Sequence, residues 1–547
     1  MSTSDGSTAI TIENINTSDV VYQWGDGGFA VGVLLMGRLH GISGQVVDGV
    51  QNLETTIDTV EMQAGTVATL VLRVACSQSA APRLFEDAVG LPDERDLLAH
   101  RLALWGSEVP CLGSPDLPDA TYPTVNAPTR EYGTLHTFFD PDAWSAAVAL
   151  AYSGIDILQR RARNIVERAI DNIRPDGLIP HHFDGSWPEY VAISGSPQPG
   201  PNLFVIEAAT DIACATGDLA WLRQMWGKGI RSAAIWLLTQ LDETRGLLNV
   251  VGALWVDVFR RSGFTLDTNA MAVRTFSRAA EVARVLADPL ADRLEGAANS
   301  IRENIGALWA KDHFVTSRSP DWSQVDDHED AENYLAIATG AASPEQGSRI
   351  VDHFDSALRM HPEGRGTLVS LRRYESEDCY LGNVGDSDIA MARLWWADLL
   401  ARRAMGDTES FRQLFTPVRD DLVDNVWMRE RYSSTGVPVR ADGYHEYPDL
   451  IDFLLREGVY GLSIDMASVR IRPMRPGPFD VHWGKIRLVH SEQRVYLSLA
   501  DELERSVVVY GLKANACYRS EHGVTYADQH GMLQTTIRGN LDLQLDT

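Results

Sequence analysis

Between Asp142 and about Ala467 the chain alternates two kinds of helical segment, and this alternation constrains the fold more than any other feature. One kind is rich in alanine and apolar on every side, as in DAWSAAVALAYSG and NLFVIEAATDIACATG. The other is amphipathic and charged, as in IDILQRRARNIVERAIDNI and DLAWLRQMWGKGIRSAAIWLLTQL. A helix with no polar face must be enclosed by protein, whereas an amphipathic helix covers a core with one stripe and meets water with the other. A third pair joins TNAMAVRTFSRAAEVARVLAD to the segment from Ala291 to Trp309, and a fourth joins AENYLAIATGA to PEQGSRIVDHFDSAL. SDIAMARLWWADLLARRAMG and the segment from Glu409 to Asp424 make the fifth. A sixth is partly legible at 448–467, and a helical pattern at about 92–105 is able to complete it. The pattern predicts a mainly α fold, an (α/α)6 toroid in which an inner ring of buried helices sits within an outer ring.

Both flanks read as strands. AITIENI, GFAVGVLLMG and TVATLVLRVAC lie before the helices, and SVRIRPM, KIRLVH, RVYLSLA, RSVVVYG and LQTTIRG lie after them, with turn residues between. Five prolines at 107–135 mark an extended connector. The expected organisation is a β-rich domain over 1–85, a helix and linker over 86–137, the helical domain over 138–467 and a β-rich domain over 468–547. Long loops at 174–201, 246–267, 311–329, 361–384 and 429–448 fall at one end of such a toroid, where a site is expected.

Those loops carry the residues with chemistry. Asp257 follows Trp255 by two positions in a segment too irregular for helix, before an Arg260–Arg261 turn and a capped helix expected from about Asp267 or Thr268. A carboxyl beside an aromatic surface suits a general acid for a sugar leaving group, because partial desolvation keeps it protonated near neutrality. The plain alternative is an acid beside a core Trp. TFFDPDAW places Asp140, Asp142 and Trp144 at the first helix, where either acid caps the helix or grips sugar hydroxyls. His181 and His182 in DGLIPHHF are candidate pocket hydrogen-bonding groups rather than zinc ligands, since no third ligand stands at a helical spacing. The acidic run Asp326–Glu332 reads as a solvated helix start. GYHEYPDL sets Glu446 among Tyr444, His445 and Tyr447 just before the last helix, and Asp386 lies in the loop YLGNVGDSD. An acid in mid-chain and another before the last helix match what an inverting glycosidase needs: two carboxyl groups roughly 6.5–9.5 Å apart across the scissile bond.

Composition excludes several partners. With 48 basic against 75 acidic residues the formal charge is −27, which argues against nucleic acid or an anionic membrane surface. The five cysteines are far apart with no CxxC pair, no run of about 18 apolar residues occurs, and the N-terminus has no signal-peptide pattern. These features lead to the expectation of a cytoplasmic protein without a metal, and the pair of carboxyl groups to that of a small glycoside or oligosaccharide as its partner and no cofactor.

The helical region resembles the six-hairpin glycosidases, above all the amylo-glucosidase domain of glycogen debranching enzymes, with glucoamylases and trehalases further off. GLLNV, LWVDV, RRSG and DTNAM between Gly246 and Met271 are similar to that family's consecutive motifs, as are AENYLAIATGAASPEQGSRIVDHF, HPEGRGTL at 361–368 and GYHEYPD. The resemblance implies that Asp257 is the general acid and Glu446 the general base. It also implies that Arg261, Asn269 and Asp140 approach the substrate and that Trp255 serves as a platform. Tyr380–Asp388 departs from the family's pattern, which argues against a glycogen-type substrate. The resulting expectation is an inverting hydrolase of a small α-glucoside or related glycoside. An inverting phosphorylase or a polysaccharide lyase on the same fold, and a sugar-binding protein without turnover, are the alternatives.

Overall fold

The computed structural model describes residues 137–547, apart from 139–140, 155, 185–186, 359–364, 383–384, 386–387, 426–428, 443–445, 521–522 and 547. Before 137 it describes only paired strands, of which 20–25, 28–35, 38–45 and 54–57 form an antiparallel meander. The helical pattern at 92–105 lies outside the described residues, as do Asp140, Asp386 and Tyr444.

In chain order the helices are α1 (Pro141–Tyr152), α2 (Asp156–Asp171), α3 (Gly200–Thr216), α4 (Leu219–Met225) and α5 (Arg231–Thr239). They continue with α6 (Leu266–Val285), α7 (Ala291–Asn304), α8 (Asn333–Ala338) and α9 (Pro344–Leu358). The last three are α10 (Ala392–Met405), α11 (Thr408–Asn425) and α12 (Glu446–Leu454). Helix α1 packs on α3, α3 on α6, α6 on α8, α8 on α10, α10 on α12, and α12 back on α1, which closes a ring. The amphipathic helices lie outside it: α2 against α1 and α3, α4 and α5 against α3, α7 against α6, α9 against α8 and α11 against α10. Every residue of α1 and α3 is buried, as apolar composition on all sides requires. The fifth inner helix starts later than its apolar run suggests. Ile389–Met391 is a strand because it pairs with Thr367–Leu368 on one side and Arg431–Ser433 on the other.

Aromatic rings fill part of the ring's interior. Trp144 meets Trp396 edge-on at 5.0 Å and Phe204 at 5.6 Å, while Trp255 touches Phe204 at 5.2 Å and Trp396 at 6.0 Å. Phe453 closes the group at 5.6 Å from both Trp144 and Trp396.

Small antiparallel sheets lead into several inner helices: 137–138 with 182–184 and 187–189 before α1, 262–265 with 317–318 before α6, and 389–391 before α10. One local device recurs at these entries. Asn202 accepts from the Ile179 N–H and donates to the carbonyls of Gly177 and Ala233. Asn269 does the same with the Leu248 N–H and the Leu248 and Thr265 carbonyls. Asn333 repeats it with both backbone groups of Phe314 and the Asp330 carbonyl. An amide at the start of an inner helix thus clamps the preceding loop, satisfying backbone groups that burial would otherwise leave unpaired.

Beyond the helices a ten-stranded sheet begins at Leu462, with strand order 462–464, 468–471, 504–509, 533–538, 540–545, 494–498, 486–490, 479–483 along its main path. Among the described residues only the 468–471 and 504–509 pair of this sheet is parallel. Alternation of buried and exposed residues along 479–483 marks a sheet with one covered face. The sheet approaches the helices closely where Gly154 meets Gly484: a Cβ on Gly154 would lie 2.4 Å from the Gly484 Cα, so backbone contact there requires glycine.

Candidate active site

Arg393 organises the end of the ring where the inner helices begin. It stands in the first turn of α10, fixed by the strand that precedes it. Its Nε donates to Glu446 Oε1 at 2.5 Å, its Nη1 to the Trp255 carbonyl at 2.6 Å and its Nη2 to Asp142 Oδ1 at 3.2 Å. One guanidinium therefore joins the first turns of α1, α10 and α12 to the loop before α6. A cation at a helix N-terminus is unfavourable by itself, and the two carboxylates, each in a first turn, supply the compensating charge. All three side chains are buried, Glu446 to 1% exposure. Burial raises the Glu446 carboxyl, Arg393 opposes the rise, and Asp142 and Glu430 add to it, leaving it at about 7. Its Oε2 is buried with no hydrogen-bond partner among the described residues.

Asp257 is half-buried, two residues beyond the carbonyl that Arg393 holds. Its segment is a turn pinned on both sides. Phe259 N–H donates to the Val256 carbonyl, the Tyr380 N–H donates to the Val258 carbonyl at 2.7 Å, and Arg260 N–H donates to the Asp378 carbonyl at 2.8 Å. The loop at 380, where the sequence departs from the debranching pattern, is therefore a direct neighbour of Asp257. Trp255 is 1% exposed, and its ring packs against Phe204 and Trp396 rather than presenting an open face. The indole N–H groups of Trp144, Trp255 and Trp396 are buried without an acceptor among the described residues.

The other expected residues are distributed as follows. His182 lies opposite Phe138 on the strand entering α1, and its Nδ1 is 3.1 Å from that of His181. Burial and then the His182 charge push His181 down to about 3, so it is neutral across the physiological range. Arg261 is buried inside the protein, its two amino groups donating to Asp267 at 3.0 Å, Asp330 at 2.9 Å, Glu332 at 2.6 Å and the Tyr374 hydroxyl at 2.8 Å. Asn269 spends its amide on the loop clamp described above. Tyr447 is buried between Trp395 and Tyr432 and donates to the Arg365 carbonyl at 3.1 Å. A Cβ on Gly366, whose φ is +108°, would lie 2.6 Å from that hydroxyl, which explains the glycine in HPEGRGTL.

Two expectations need correction. The run Asp326–Glu332 is not a uniformly solvated helix start, for Asp330 and Glu332 are each 1% exposed. The buried Arg261 draws them in, yet burial raises both carboxyls even so, and for Glu332 the neighbouring Asp267 and Asp330 add to the rise. Helix α6 begins at Leu266 without a side-chain cap, and Asp267 instead accepts from the Leu254 N–H and Arg261. The sequence reading missed Arg393 altogether. The signal available was an arginine in the first turn of a run otherwise apolar on all sides, a position that demands buried acids nearby. It also missed Asp449, one turn into α12, whose Oδ2 accepts from Ser145 of α1 at 3.3 Å.

No family model matches the chain, and no curated protein matches it in sequence. Among solved structures it is similar to a family GH63 mannosylglycerate hydrolase from Thermus thermophilus in complex with glucose, at 13% identity and TM-score 0.47 over 65% of this chain and all of that one. It is similar to an α-L-rhamnosidase from Dictyoglumus thermophilum at 9% identity and TM-score 0.50 over 83% of this chain, and to a GH78 rhamnosidase of Bacillus sp. GL1 at 15% identity and TM-score 0.44 over 68%. The chain spans less than half the length of these rhamnosidases, 48% and 42%. At such identity the likeness bears on the fold alone, and it is the α-L-rhamnosidase, at a TM-score of 0.50, that carries it.

Proposed function

We propose that this protein is an inverting glycoside hydrolase acting on a small α-glucoside or related glycoside. Asp257 protonates the departing oxygen and Glu446 takes a proton from the attacking water. The reading rests on Arg393, which donates both to the Glu446 carboxylate and to the carbonyl two residues before Asp257. This linkage brings the two acids to one end of the ring although 189 positions separate 257 from 446 in sequence. A base with its carboxyl near 7 is matched to water activation close to neutrality, where it is both substantially ionised and still basic. The unpartnered Glu446 Oε2 and indole N–H groups supply acceptor and donor capacity of the kind sugar hydroxyls and a water use.

In this reading the ring is an (α/α)6 barrel whose sixth outer helix is the 92–105 segment, flanked by β-rich domains at 1–85 and 468–547. Within the barrel, His181, His182 and Asp142 border the site with Asp140, Asp386 and Tyr444, and the enzyme works in the cytoplasm without a cofactor. The test is a screen of aryl-glycosides and disaccharides for released reducing sugar, with the product anomer followed by proton NMR before mutarotation. Inversion that does not depend on added phosphate supports the hydrolase. Retention, phosphate-dependent turnover, or an unsaturated uronic product would replace it with a different reaction.

A further inference from the structure

At the opposite end of the ring, between the C-terminal halves of α6 and α10 and the C-terminal sheet, lies a cavity of about 470 Å³. Six arginines line it: Arg274 and Arg278 from α6, Arg302 from α7, Arg403 from α10, Arg470 from the sheet and Arg472 just beyond the end of the same strand. Only three acids do so, Glu281, Glu457 and Asp465. This local excess of positive charge runs against a chain whose formal charge is −27.

The ion pairs do not absorb the excess. Arg274 and Arg278 are held from behind by Glu207, and Arg278 also by Asp211 and by Asp465 at 2.7 Å. Glu457 lies 3.1 Å from Arg456, which is outside the cavity lining, and only 3.9 Å from Arg403. Among the described residues no carboxylate pairs with Arg302, Arg470 or Arg472: Arg302 donates to Asn299, and Arg472 to the Ala404 carbonyl while lying over the Tyr510 ring. Arg403 is the telling member. It is 7% exposed, donates to Ser463 and the Gly461 carbonyl, and has a buried Nε with no partner among the described residues. Burial pushes its guanidinium down to about 10, Glu457 opposes this, and the charges of Arg470 and Arg472 push it further in the same direction. Some of these arginines complement carbonyls at helix C-termini. That role accounts for Arg472 and for one amino group of Arg403, and leaves the remaining donors facing a cavity.

From this geometry we infer that the cavity is a second binding site, distinct from the carboxylate end, which takes a small organic phosphate with its phosphoryl group on Arg403, Arg470, Arg472 and Arg302. Guanidinium forks match phosphate oxygens geometrically and remain charged at any working pH. The volume exceeds that of a bare phosphate, and Tyr510, Leu400 and Ala338 offer apolar surface for an attached carbon skeleton of sugar size. Because donors come from both the helices and the sheet, an occupant ties the two together and stabilises the folded chain by linkage.

The test uses the full chain and reads binding rather than hydrolysis. Calorimetry and thermal unfolding are followed with inorganic phosphate and with glucose 6-phosphate, against sodium chloride at matched ionic strength. Expected results are a rise in Tm and saturable binding with both probes, at least tenfold tighter for the ester, and a tenfold or greater weakening in Arg470→Glu and Arg302→Glu. Both substituted residues are exposed, so circular dichroism should match the parent; Arg470→Gln, which removes charge without reversing it, serves as the milder check. Equal binding of the two probes would overturn the sugar-sized assignment. No binding beyond the chloride control, or binding that survives the double charge reversal, would overturn the site itself.

Discussion

Arg393 Nε and Glu446 Oε1 lie 2.5 Å apart, joining the first turn of one inner helix to that of the next. The pair is buried and shares its cation with Asp142 and with the Trp255 carbonyl. A single side chain thus sets both the position of the proposed base and the course of the loop carrying the proposed acid. Arg393→Gln keeps some hydrogen-bonding capacity but removes the charge that holds the Glu446 carboxyl down. Its carboxyl should move above 7, and the acidic limb of kcat should move up with it. Breaking a buried pair by removing one partner costs about 3–5 kcal/mol, which chemical denaturation would read. A variant with an unshifted pH profile would mean that Arg393 acts only as a structural tie.

Stability should also report Glu446 directly. Its carboxyl is raised to about 7 in the folded protein and returns to its ordinary value near 4.5 on unfolding. The folded state therefore binds the extra proton between those values, so this group's contribution is fully present below about pH 4.5 and is lost as pH rises through 7. Glu446→Gln has no such dependence. Relative to the variant, the parent should lose stability from pH 4.5 to pH 8. A constant difference over that range would show that the carboxyl titrates normally.

The three asparagine clamps allow a distinction between scaffold and site. Asn269→Ala leaves the buried Leu248 N–H and two carbonyls without their partner, a loss of about 2–3 kcal/mol on the scale of unsatisfied buried groups. Asn202→Ala and Asn333→Ala should show losses of similar size. If Asn269 serves the scaffold alone, KM for the substrate changes no more in its variant than in the other two at a temperature where all are folded. A KM increase confined to Asn269→Ala would restore it to the substrate side.

The alternation of apolar and amphipathic helices was enough to anticipate the closed inner ring, because enclosure is the only way to bury a helix like α3 on all sides. The candidate site was less legible, for a reason its residues make plain. Trp255, Arg261 and Tyr447 are types that commonly line sugar sites, and sequence cannot tell an aromatic facing a ligand from one facing Phe204 and Trp396. Arg261 lay too far in sequence from Asp330 and Glu332 for their pairing to be read. Arg393 was hidden by its apolar neighbours. The asparagine repeat was missed because it consists of one polar residue per hairpin at unequal spacing, 67 positions from Asn202 to Asn269 and 64 from there to Asn333.

Asp257 provides the most selective test of the mechanism. If it protonates the leaving oxygen, Asp257→Asn removes a proton whose importance depends on the leaving group. With a disaccharide or alkyl glycoside, whose departing alkoxide is strongly basic, kcat should fall by about 10³-fold or more, within the reach of acid catalysis combined with lost positioning. With a dinitrophenyl glycoside, whose phenolate leaves without protonation, the loss should be smaller by at least tenfold. The alkaline limb assigned to the acid should disappear from the variant's pH profile, while the acidic limb, set by Glu446, should remain. Asp257 lies in a turn held by Tyr380 and Arg260 backbone bonds that the substitution leaves in place. Equal losses on both substrates with an unchanged alkaline limb would assign Asp257 a structural role in that turn and leave the departing oxygen to another acid.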